Sequence, residues 1–259
     1  MRLLPRYSLK VSRRSLLLLA TGLMAACSPS SNGTLFQDVR VIDGTGSPSS
    51  PGSVRVVDGR IAEVGELTPR RGETVVNGGG AVLSPGFIDT HSHHDRGLLS
   101  DMRSARAVVS QGITTIVVGQ DGGSQYPLVD FFTQAEATPP AVNVASYTGH
   151  AALRREVMGD DLQRTATPPE TDSMSVLLRA DMEQGSFGLS TGLEYSAALN
   201  STTEEVVSLA HVAAEFNGRY ISHIRSEDRT FWDAIDEILF IGSEAGLPVQ
   251  VSHMKLAMT

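Results

Sequence analysis

Ser84-Pro-Gly-Phe-Ile-Asp-Thr-His-Ser-His-His-Asp95 opens on the turn pair Pro85-Gly86 and runs through a short apolar segment into His91-x-His93. In an extended strand, side chains two apart face the same side. His91 and His93 therefore aim two imidazoles at one point, the minimum geometry for a shared metal. His94 alternates to the opposite side and is not expected to join them. Two histidines alone are a weak signal, and the rest of the chain decides what they mean.

Downstream, strands are expected to alternate with helices, the signature of parallel βα units. Apolar runs predict strands at Ile113–Gly119, Ala141–Tyr147, Phe187–Ser190, Arg219–Ile224 and Leu247–His253. Such continuous apolar runs suit strands covered on both faces. Helices are expected near Asp101–Ser110, Pro127–Gln134, Pro168–Gln184, Thr203–Asn217 and Phe231–Ala245. Thr167-Pro-Pro-Glu170 has capping-box spacing, and Val206, Leu209, Ala210 and Ala213 form an i, i+3, i+4, i+7 stripe. The pattern predicts an α/β chain, a (β/α)₈ barrel with about six of its eight strands in hand. A full barrel takes about 250 residues, and 83–259 falls well short. The expectation is a chain truncated at its C-terminal side and, as it stands, inactive.

Upstream, 35–82 reads as a small β domain. Leu35–Ile42 is a strand, and Val54–Val57 and Ile61–Val64 flank Asp58-Gly59, a pair that favours tight hairpins. Gly78-Gly79-Gly80 is wrongly spaced for a nucleotide fingerprint and reads as a linker.

The first 27 residues read as an export segment. Ser12-Arg13-Arg14-Ser15 precedes the apolar run Leu16–Ala26, and Cys27 follows at once. The run is too short to span a bilayer, which takes about 20 residues, and suits the apolar core of a signal peptide. Leu23-Met24-Ala25-Ala26-Cys27 is similar to a bacterial lipobox, which makes Cys27 the expected lipidated residue and 28–34 a flexible tether. The protein is then an exported lipoprotein, periplasmic or held at the outer membrane through its lipid alone. Five basic residues and no acid lie in the first 26, so the formal charge of −8 becomes −13 without them. A surface that acidic argues against nucleic acid as a partner.

The expected strand ends carry the chemistry. His91 and His93 end strand one, Asp121 follows strand two in Val118-Gly-Gln-Asp-Gly122, His223 ends strand five and His253 ends strand six. In a parallel barrel these ends surround one mouth, and imidazoles with a carboxylate are typical zinc ligands. His150, after strand three, is expected at the same mouth, facing substrate or backing the ligands. His211 lies off its helix's apolar stripe and is expected in solvent.

The chain resembles the amidohydrolase superfamily and, within it, the D-aminoacylases (N-acyl-D-amino-acid deacylases). The resemblance rests on Pro85–Asp95, Gly149-His150, Gly188-Leu-Ser-Thr-Gly-Leu-Glu-Tyr195, Ser222-His-Ile-Arg225 and Val251-Ser-His-Met-Lys255. It implies zinc-dependent hydrolysis of an N-acyl-D-amino acid to a carboxylate and a free D-amino acid. His223 and His253 would hold a tight zinc, and His91 and His93 a second, weaker one. The family's shared ligand is usually a cysteine in an Asn-Cys-Gly segment. This chain has Gln120-Asp-Gly there, so Asp121 would take that place. The family's general base is an aspartate at the end of strand eight, which would lie beyond Thr259. A substrate carboxylate needs a cation or hydroxyl, for which Lys255 and Tyr195 lead and Arg225 follows. The alternatives are an amidohydrolase acting on a cyclic amide or dipeptide, and a metal-binding lipoprotein without turnover.

Overall fold

The computed structural model describes residues 33–95, 97–99 and 105–256. The expected export segment, Cys27 and most of the tether lie outside them, as do 101–104 of the first expected helix. The chain divides into two compact units between Pro85 and Gly86.

The first unit is a four-stranded sheet of β1 (Thr34–Val41), β2 (Ser50–Val57), β3 (Arg60–Gly65) and β4 (Thr74–Leu83), in the order β3-β2-β1-β4. β2 and β3 form the hairpin expected at Asp58-Gly59, whose φ angles of 50° and 72° match a tight turn with both central residues left-handed. Arg55 is almost fully buried and is paired with Glu63 and Glu73, which is how an interior guanidinium is tolerated. The glycine run is not a linker. It lies inside β4, where the pairing with β1 slips between Gln37 and Val39. Gly79 and Gly80 sit at φ 57° and 82°, and a Cβ on Gly78 would stand 2.4 Å from Val39 Cγ1. Glycine lets the strand bulge there without a clash.

The second unit contains β5 (Phe87–Asp89), α1 (Arg106–Val109), β6 (Ile113–Val118), α2 (Leu128–Ala137), β7 (Asn143–Ser146), β8 (Thr148–Gly149) and α3 (His150–Met158). α4 (Pro168–Glu183), β9 (Gly188–Gly192), α5 (Thr203–Glu215), β10 (Arg219–His223), α6 (Phe231–Ala245) and β11 (Val249–Val251) follow. The strands pair in parallel as β5-β6-β7 and as β8-β9-β10-β11. Only Tyr147 separates β7 from β8. Its N–H donates to Val118 O at 3.0 Å, and Phe187 N–H donates to Ser146 O at 2.8 Å. The two sheets thus continue as one parallel array in chain order.

The period of two along each strand sorts its side chains. Ile116 and Val118 pack with Val108 and Phe131 on the helical side. Tyr220 and Leu189 join the larger cluster built from α3–α6, with Leu153, Leu178, Leu209 and Ile238. Val117, Tyr147 and Ile221, from alternating positions, cluster separately. His223, two residues beyond Ile221, shares its side of β10.

Helix ends follow local chemistry. Thr167 N–H donates to Glu170 Oε2 at 2.7 Å, closing the start of α4, and Gly246 ends α6 in the left-handed conformation. α3 was not expected. It starts directly from β8, with Gly149 at its N-cap and no side-chain cap, so no start signal precedes it.

Candidate metal centre

β5 ends just before His91, and the backbone there is tied to the next strand by Ser92 N–H donating to Val117 O at 2.9 Å. Gln120 is buried, and its Nε2 donates to Thr90 O and Val117 O at 3.2 and 2.9 Å. Asp121 itself sits in a tight turn with φ 53°. A Cβ on the following Gly122 would stand 2.9 Å from Gly192 N, so this turn can lie against the end of β9 only because glycine is there.

On this frame, the four expected histidines and Asp121 meet. His91 Nε2 and His93 Nε2 lie 3.5 and 3.3 Å from Asp121 Oδ2. His223 Nδ1 lies 3.1 Å from His253 Nε2. Donor atoms of His91, His93 and Asp121 form one group within 4.8 Å, and those of Asp121, His223 and His253 form another. Asp121 belongs to both and occupies the middle. His94 stays out, its Nδ1 3.1 Å from Ser92 Oγ, and His211 is exposed.

The donor set fits a divalent ion. Two nitrogens each about 2.0–2.1 Å from a tetrahedral zinc stand roughly 3.3 Å apart, close to the spacing of the His223 and His253 nitrogens. The other ring nitrogens of His223 and His253 are held by carboxylates. His223 Nε2 lies 2.9 Å from Glu194 Oε2. His253 Nδ1 is in direct contact with Glu227 Oε1, and neither atom has a hydrogen bond elsewhere among the described residues. A proton on Nδ1 shared with Glu227 satisfies both and leaves the lone pair on Nε2, toward His223 and Asp121. Such carboxylate–histidine pairs are the usual support of a metal-ligating imidazole.

Three residues not expected from the sequence join the site: Glu194, Glu227 and Ser252. Glu194 adjoins Tyr195 in the quoted motif, and Glu227 follows His223 by four residues, so both spacings were there to read. Ser252 carries no signal of its own, yet its Oγ donates to Asp121 Oδ1 at 2.8 Å.

Of the expected substrate-binding residues, two reach the cluster. Tyr195 OH lies 3.1 Å from His223 Nδ1, and its ring stacks on the imidazole at 4.4 Å. Burial, with the carboxylates of Asp121 and Glu227 nearby, pushes its hydroxyl pKa up. Lys255 Nζ lies 2.8 Å from Glu227 Oε2, which holds the ammonium above its ordinary pKa. The other two are engaged elsewhere. His150 is fully buried and bonded through Nε2 to Glu205 at 2.7 Å. Arg225 donates through Nε and Nη2 to the two carboxylate oxygens of Glu237, both at 2.8 Å, and lines a different cavity with Thr203 and Asp233. A cavity of about 500 Å³ opens beside the metal donors, lined by His93, Asp121, Ser124, Arg155 and Tyr195.

The amidohydrolase family profile matches residues 74–258. D-aminoacylase of Alcaligenes xylosoxydans xylosoxydans is 36% identical over 239 residues, 83% of this chain and 49% of that one. The chain thus spans about half the length of the curated relatives it matches. The crystal structure of N-acyl-D-glutamate deacylase from Bordetella bronchiseptica, complexed with zinc and a phosphonate inhibitor, superposes with a TM-score of 0.80 at 34% identity, over 83% of this chain and 50% of that one. A D-aminoacylase structure described for its binuclear metal centre gives a TM-score of 0.77 at 33% identity, over 85% of this chain and 52% of that one. With the profile covering most of the chain, the protein belongs to the amidohydrolase family.

Proposed function

We propose that the protein is a zinc-dependent hydrolase of N-acyl-D-amino acids, releasing a carboxylate and a free D-amino acid. The observation that carries this is the meeting of His91, His93, Asp121, His223 and His253, with Tyr195 and Lys255 beside them. A bound zinc supplies Lewis acidity toward the amide carbonyl and brings the pKa of a water to about 7. Asp121, between the two histidine pairs, is placed to be shared by two ions, with His223 and His253 on one side and His91 and His93 on the other. Its oxygen is a harder donor than a thiolate and suits zinc together with harder divalent ions.

Lys255 and Tyr195 supply a cation and a hydroxyl suited to a substrate carboxylate. The cavity beside them offers room for the acyl or side-chain portion. The parallel array from β5 to β11 supports a (β/α)₈ barrel as the working fold, and the exposed Phe87 and Ile88 on the outer strand suit an array that continues past its edge. The paired arginines, apolar run and cysteine at 13–27 support export and a lipid anchor.

The test is a panel of N-acetyl-D- and N-acetyl-L-amino acids offered to the zinc-loaded, full-length protein, with release of free amine as readout. Turnover of D- over L-substrates is expected. Turnover confined to cyclic amides or dipeptides would overturn the substrate class.

A further inference from the structure

The segment that carries His253 and Lys255 lies beyond the last strand. β11 ends at Val251, and the last backbone bond there is Ser252 N–H to Ser222 O, 2.8 Å. Among the described residues, no backbone hydrogen bond holds 253–256, and Met254 and Leu256 on the same segment are exposed. Yet two side chains from this short stretch must be held to ångström tolerance, one toward a metal and the other toward a substrate anion.

Glu227 meets both. One carboxylate oxygen contacts His253 Nδ1, and the other lies 2.8 Å from Lys255 Nζ. Glu227 is 4% exposed, and its carboxylate arrives from the loop after β10. That loop is itself fixed by Ser226 Oγ, which donates to Asp228 Oδ1 at 2.7 Å and accepts from Thr230 N–H at 3.4 Å. Its distance of 4.0 Å from His223 Nδ1 is longer than either of these contacts. Donor atoms of Glu227, Glu194 and His223 also form a group within 4.8 Å, but both Glu227 oxygens are already engaged, one by His253 and the other by Lys255.

Resting on the metal-centre reading above, we propose that Glu227 is a positioning residue that clamps His253 and Lys255 together, setting the imidazole tautomer with one oxygen and the ammonium position with the other. A buried carboxylate between an imidazole and an ammonium serves the metal side with one oxygen and the substrate side with the other. The two arms are separable. A glutamine at 227 keeps an acceptor for the His253 N–H and loses the charge that holds Lys255. An alanine loses both.

The experiment measures zinc affinity by chelator competition on full-length Glu227→Ala, Glu227→Gln and Lys255→Met, with the Tm of each metal-free protein alongside and KM and kcat for the N-acetyl-D-amino acid the wild type turns over. Glu227→Ala is expected to lose about 10- to 100-fold in zinc affinity at unchanged metal-free Tm. Glu227→Gln and Lys255→Met are expected to keep wild-type zinc affinity and to raise KM more than they lower kcat. Wild-type zinc affinity in Glu227→Ala would overturn the proposal, and so would a Glu227→Gln that loses as much zinc affinity as the alanine. If Glu227→Ala fails to fold, Glu227→Gln and Lys255→Met decide through KM: a raised KM in both supports the proposal, and an unchanged KM in Glu227→Gln overturns it. A wild type that takes up no zinc overturns the metal-centre reading and this inference with it, whereas a zinc-binding wild type with an indifferent Glu227 overturns this inference alone.

Discussion

Ser252 Oγ donates a 2.8 Å hydrogen bond to Asp121 Oδ1 across 131 residues of sequence. One hydroxyl thus ties the turn after β6 to the end of β11, and it leaves Oδ2 to face His91 and His93. Burial pushes the Asp121 carboxyl pKa up, but the contacts with His91 and Ser252 and the charges of His91 and His93 outweigh it and hold it at about 2. The group is an anion at neutral pH, as the proposed role of Asp121 as a shared ligand requires.

Ser252→Ala removes that tether and leaves the carboxylate free to turn. Zinc affinity is expected to fall by about tenfold, with little change in the stability of the metal-free protein. Equilibrium dialysis against a zinc buffer checks it. Undiminished affinity would mean that Asp121 is held in place by its turn alone.

Asp121→Ala deletes the donor common to both groups, and elemental analysis is expected to show loss of bound zinc. Asp121→Cys restores a ligand of the softer kind, so zinc should return while competition by manganese declines. Retention of full zinc content by the alanine variant would remove Asp121 from the ligand set.

A separate ion cluster is buried in the second unit. Glu205 is buried against Arg154 Nη1, with both contacts at or below 2.7 Å, and against His150. Glu205→Ala leaves an interior guanidinium without its partner and is expected to cost about 3–5 kcal/mol. Urea denaturation of the two proteins at neutral pH measures this directly.

The same cluster sets a pH dependence. Burial holds His150 below its ordinary pKa of 6.5, against the pull of Glu205. Burial pushes Glu205 up from 4.5, but its bonds to His150 and Arg154 outweigh that and leave it lowered. Both folded values lie below the unfolded ones, so the unfolded chain takes up more protons as pH falls. Stability from His150 is complete above about pH 6.5 and declines below it. Stability from Glu205 is complete above about pH 4.5 and is lost as pH falls through its folded value. His150→Gln is expected to flatten the slope of unfolding free energy between pH 6.5 and 5. An unchanged slope would place that titration elsewhere.

What could be read from the residues is what depends on local period and turn chemistry. Strand alternation predicts that His91 and His93 share a side. They do converge on Asp121, but from the irregular backbone just past β5 and not from the strand itself. Asp58-Gly59 marks a hairpin and Thr167–Glu170 a helix start for equally local reasons. The approach of His223 and His253 was legible because parallel strands place their C-terminal ends together. Glu194 and Glu227 carry only a spacing signal beside Tyr195 and His223, and Ser252 carries none, because each acts through a partner brought near by the folded backbone. Gly78–Gly80 reads as a linker in sequence but forms a bulge in β4, because the bulge depends on the neighbouring strand, here Val39, and not on the glycines alone. His150 and Arg225 sit near the right strand ends, but their partners Glu205 and Glu237 come from helices whose facing side chains the strand pattern does not reveal.

The most direct measurement is an anomalous difference map, collected at the zinc absorption edge, from crystals of the full-length protein grown with zinc. A peak about 2.0–2.2 Å from Asp121, His223 Nδ1 and His253 Nε2 is expected, with any second peak on the side of His91 and His93. A peak bound by none of these side chains, or their nitrogens turned away from the density, would contradict the metal centre described here.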